Sequence, residues 1–93
     1  MGEYTSGVAN SICMVKSIVA VAQDDTDGSI SVDFNITEDI SAIVQVKDDS
    51  NVLQNPNDLI VTVDDGVVTV ADGSSTKIIT GYTYIIMAVR DKS

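Results

Sequence analysis

Leu59-Ile60-Val61-Thr62-Val63-Asp64-Asp65-Gly66-Val67-Val68-Thr69-Val70-Ala71 decides the fold. Two alternating runs flank Asp65-Gly66, and a two-residue Asp-Gly loop favours the type I′ turn. Both central residues of that turn need positive φ, which Asp tolerates and Gly adopts readily. The stretch therefore predicts a β-hairpin. The same signs spread outward from it. Ser29 to Thr37 places Ile30, Val32, Phe34 and Ile36 on one side and Ser31, Asp33 and Asn35 on the other, the alternation of a half-buried strand. Ile40 to Lys47 places Ile40, Ala42, Val44 and Val46 together, with Ile43 an apolar exception on the opposite side.

Composition agrees. Val and Ile supply 25 of the 93 residues and Leu only two, a balance suited to pleated surfaces. Residues 48–58, with Asn55-Pro56-Asn57, form a turn region. Asp72-Gly73-Ser74-Ser75 breaks the chain again before Lys77-Ile78-Ile79, and Gly81 leads into Tyr82 to Arg90. About seven short strands follow, which predicts an all-β, two-sheet antiparallel sandwich of Ig-like type. Residues 12–93 form its single domain, and the polar residues 1–11 an N-terminal arm. The predicted core is Ile30, Val32, Phe34, Ile36, Val44, Val46, Val61, Val63, Val68, Val70, Tyr84 and Ile86.

Two segments are apolar on both sides. Along Tyr82 to Val89, Tyr82, Tyr84, Ile86 and Ala88 share one face while Thr83, Ile85, Met87 and Val89 share the other. Residues 12–22 (ICMVKSIVAVA) have the same character. Helical spacing can be traced through them, but their Ile and Val content favours a strand. A two-sided apolar strand is central and covered, or is covered by another molecule. Either these two strands lie side by side beneath the arm, or their outer faces form a subunit interface through Ile85, Met87 and Val89.

Chemistry is sparse. The chain has no His, and Cys13 is its one cysteine. Nucleophile–imidazole pairs and zinc patterns are therefore absent. Cys13 is expected to be a small buried hydrophobe. No glycine-rich phosphate motif occurs, and acid pairs such as Asp48-Asp49 fit solvated turns. No enzyme, and no cofactor, is expected. Fourteen acids against five bases give a net charge of −9, which disfavours nucleic acid and suits docking onto a basic surface. No run is long enough to cross a membrane as a helix.

Asp24-Asp25-Thr26-Asp27-Gly28-Ser29 is the one motif with ligand character. Asp25 and Asp27 before a glycine resemble the opening of a calcium loop. Counted from Asp25, position 12 is Ile36, where an EF-hand needs Glu. A hairpin loop is the expectation, with Asp25 and Asp27 the weak candidates for a metal.

Ala42-Ile43-Val44-Gln45-Val46-Lys47, the hairpin from Leu59 to Gly73 and the hydrophobic strand after it resemble, in order and composition, the small acidic β-sandwich proteins of tailed bacteriophage virions that decorate or cement capsids. The resemblance spans roughly residues 18–90. It implies a structural protein made in the host cytoplasm and incorporated in the virion, where many copies bind one another or a protein lattice. A β-sandwich binding module, adhesive and dependent on carbohydrate or calcium, is the competing reading. The absence of Trp argues against a carbohydrate platform.

Overall fold

The computed structural model describes residues 13–37 and 39–90; the arm expected at 1–11 lies outside them. The elements are β1 (Cys13–Val19), α1 (Ala22–Asp27), β2 (Ser29–Asp33), β3 (Ile40–Lys47), β4 (Leu53–Gln54), β5 (Ile60–Asp64), β6 (Val67–Ala71) and β7 (Thr83–Arg90). They form a four-stranded sheet in the order β1-β7-β3-β4 and a three-stranded sheet in the order β2-β6-β5. Every pairing is antiparallel. This is the all-β sandwich read from the alternation.

The hairpin that decided the fold is β5–β6. Asp65 and Gly66 have φ of 52° and 81°, as a type I′ turn requires. Gly66 is also fixed by crowding, since a Cβ there would collide with the Ile36 carbonyl. Its own carbonyl accepts the Phe34 N–H at 2.9 Å, tying the turn to the end of β2.

The core lies between the sheets. Val68, Val70, Tyr84, Ile86 and Ala88 are completely or almost completely buried, with Ile30, Val32, Phe34, Ile40, Val44 and Val46 around them. Ala20 and Ile78 join the core from outside the strands. Ile36 packs against it only partly. Val61 and Val63 correct the predicted core, for they remain 37% and 38% exposed. They share a face with Val70 and Val68, but β5 is the edge of its sheet. The edge strand β4 on the facing sheet is two residues long and covers little of it.

Three local readings also change. The strand expected over residues 12–22 ends at Val19, and the Asp-rich loop expected after it is the helical turn α1. Asp24 Oδ2 accepts the Val21 N–H at 3.0 Å, and Gly28, at φ 73°, closes the turn by donating to the Asp24 carbonyl. Acids at a helix start are favourable. The strand expected from Ser29 to Thr37 stops at Asp33, because Asp33 Oδ1 takes the Asn35 N–H and Asn35 turns to φ 56°. Lys77-Ile78-Ile79 pairs with no strand. Asp72 Oδ1 accepts the Ile78 N–H at 2.7 Å and Tyr84 Oη accepts that of Ile79 at 3.0 Å.

Candidate protein interface

β1 and β7 lie side by side, and β3 flanks β7 on its other side. Alternation then sorts the residues of this sheet. Tyr84, Ile86 and Ala88 enter the core, so Thr83, Ile85, Met87 and Val89 face outward. The registers extend each of these into a row: Cys13–Val89–Ser41, Val15–Met87–Ile43, Ser17–Ile85–Gln45 and Val19–Thr83–Lys47–Leu53. Ile85, Met87 and Val89 are therefore brought together at the centre, half-buried by the strands on either side.

Around them, Val15 is 54% and Ile43 55% exposed, with Val19 and Leu53 similarly open. Of these, the sequence flagged Ile43 as an exception to its alternation and β1 as apolar on both sides. Leu53 carried no signal, because a two-residue strand has no periodicity to read. Cys13 corrects the expectation of a buried thiol. It is exposed because it begins an edge strand on the outward side of the pleat.

The face is close to neutral. Lys47 is its one charged side chain and no carboxylate falls on its rows. The described acids sit elsewhere and mostly organise backbone. Asp48 accepts the Ser50 and Val52 N–H groups. Asp58 gathers Ser74, Ser75 and Thr76. Three strands about 4.8 Å apart and at least seven residues long give the face a footprint on the order of 300 Å², with Leu53 of β4 at its margin.

The metal candidates are not brought together. Asp25 Oδ2 accepts both the N–H and the hydroxyl of Thr80 at 3.1 Å, while Asp27 Oδ1 accepts from Gln23 Nε2 at 2.8 Å. Two positions apart on a helix, they point to different sides. Among the described residues no three potential ligands gather around one point. Two open clefts flank the sandwich. One is lined by Thr37, Asp39, Ile40 and the β5–β6 turn, the other by Gln54, Leu59, Lys77, Tyr82 and their neighbours. No helix among the described residues is long and apolar enough to span a membrane. Compared with family models, with curated protein sequences and with solved structures, the chain matches none.

Proposed function

We propose that this protein is a non-enzymatic structural protein that works by binding protein through the outer face of β1, β7 and β3. One observation carries the reading: a chain of net charge −9 keeps every described carboxylate off one sheet face that exposes Val15, Val19, Ile43 and Leu53. Apolar area is what a protein partner can bury, and the acidic charge lies outside this face. The resemblance to small acidic β-sandwich virion proteins supplies the setting, a capsid-decorating or cementing role exerted by many copies on a protein lattice.

The test is a charge placed at the centre of the face. Ile85→Lys is expected to fold with a native β spectrum and to lose association with itself or with particles, while Thr83→Lys, nearer the strand end, retains it. An Ile85→Lys chain that associates like the parent overturns the reading. The virion setting is tested by gene order, a neighbouring capsid or portal gene being the expected result.

A further inference from the structure

The two sheets have four edges, and three carry a feature that hinders a further strand. β4 is only two residues long. β1 and β2 share a guard in Lys16, which lies on the inner side of β1. Its Nζ donates to the Asp33 carbonyl of β2 at 3.0 Å and sits 5.5 Å from the centroid of the Phe34 ring. A lysine turned inward at an edge hinders the addition of another strand. β5 has no such device. Ile60, Val61, Thr62 and Val63 are uncharged and exposed, and Asp64 is its one charge.

The Asp65-Gly66 loop determines which backbone groups of β5 are already engaged. In a two-residue hairpin the flanking residues, Asp64 and Val67, exchange both hydrogen bonds, and the engagement alternates from there. Thr62 and Ile60 therefore turn to β6, through Thr69 and Ala71. The N–H and C=O groups of Val61 and Val63 point away from it. No other described residue bonds them.

We propose that β5 is a second contact surface, at which another copy of this chain pairs β5 against β5, antiparallel, about a two-fold axis through Thr62. In that register Val61 lies opposite the partner's Val63 and Val63 opposite the partner's Val61. The outward groups then close four backbone hydrogen bonds, and the hydroxyls of the two Thr62 residues meet across the axis. Registers centred on Val61 or Val63 engage only one of the two valines in a complete pair within the strand. The inner-face side chains of Val61 and Val63, left partly exposed by the single sandwich, each come to lie against the other valine of the partner copy and continue the core across the axis.

Charge selects the antiparallel direction. Each Asp64 falls opposite the partner's Ile60, so the two carboxylates are about 13 Å apart along the strands. That separation exceeds the screening length of about 8 Å at physiological salt. Parallel pairing would instead set Asp64 and Asp65 beside their equivalents. The same charge makes the contact salt-dependent: two chains of −9 repel, so the pairing tightens as salt is added, opposite to an ion-paired interface.

Residue-resolved hydrogen exchange on the full chain, at low and high protein concentration, tests this. The Val61 and Val63 amides are expected to exchange about tenfold or more slowly at high concentration, while Ile60, Thr62 and Asp64 are protected throughout. Val61→Pro removes only an outward N–H, which an edge strand tolerates. It should keep the hairpin and abolish the concentration-dependent protection of Val63. If that variant does not fold, Val63→Lys provides the same readout at Val61, through a charge directed inward at the edge. Fast exchange of both valines at every concentration overturns the proposal, as does protection that appears only when a different protein is added. Association through the outer face of the four-stranded sheet would protect other amides and leave these two unchanged.

Discussion

Phe34 is the largest apolar side chain contributed by the β2 region and is 5% exposed, although it lies just beyond the last ladder pair of β2. Its N–H is held by Gly66 and its ring lies beneath the Lys16 ammonium, so truncation leaves a cavity that the turn cannot collapse to fill. Phe34→Ala is expected to cost about 3–5 kcal/mol in a domain whose total stability is about 5–15 kcal/mol. Urea denaturation measures it, and a loss below about 1 kcal/mol would place Phe34 outside the core. Asp58 gives a pH-dependent counterpart. The Ser74 hydroxyl, the Ser75 N–H and Thr76 all donate to its carboxylate and hold its pKa far below the usual carboxylate range. A lowered folded-state pKa favours the folded form while the unfolded carboxyl is ionised. The contribution is therefore complete above about pH 4 and fades as pH falls towards the folded value. Asp58→Asn should be less stable than the parent by a constant margin between pH 7 and 5, and the margin should shrink in denaturation curves taken below pH 4. A margin unchanged down to pH 2 would contradict this.

At the scale of elements, strands that alternate and pair on both sides were legible and those that do neither were not. Ile40–Lys47 and Val67–Ala71 have the bounds their alternation predicts, because both are interior to their sheets or close a tight hairpin. Ser29 to Thr37 alternates for nine residues, yet the ladder ends at Asp33. Hydrophobic period reports which side chains turn inward, and Phe34 and Ile36 still do; it does not report the Asp33–Asn35 turn that ends the pairing. Val61 and Val63 alternate as well as Val68 and Val70, but burial also depends on lying away from an edge. The outer face was legible only in outline: Ile85, Met87 and Val89 stood out as a second apolar side, and their neighbours became apparent only once β1 and β3 were placed in register. α1 was hidden because its six residues are too few for a period. It carries a prediction of its own. With Asp25 held by Thr80 and Asp27 by Gln23, millimolar calcium should raise the melting temperature no more than the same amount of magnesium does. A calcium-selective rise that Asp27→Ala removes would show that the two carboxylates rearrange around a metal.

For the molecule as a whole, the two sheets present unlike surfaces: one broad neutral face, and one bare edge on the opposite sheet. Contacts through both would let a single chain touch more than one neighbour. The strand order carries another consequence, concerning synthesis. β7 lies between β1 and β3 and is paired with both along its length, yet it is the last of the three to leave the ribosome. Until it does, β1 has no partner in its sheet and β3 only the two-residue β4, and the row of Val15 and Ile43 is divided between two separate segments. The β5–β6 hairpin, closed by a local turn, can form while the nascent chain is still lengthening. The four-stranded sheet must wait for contacts between residues some seventy positions apart, and such non-local pairing is slow. The interval in which this chain is most open to misassociation is therefore the one just before Thr83–Arg90 docks between strands made long before it.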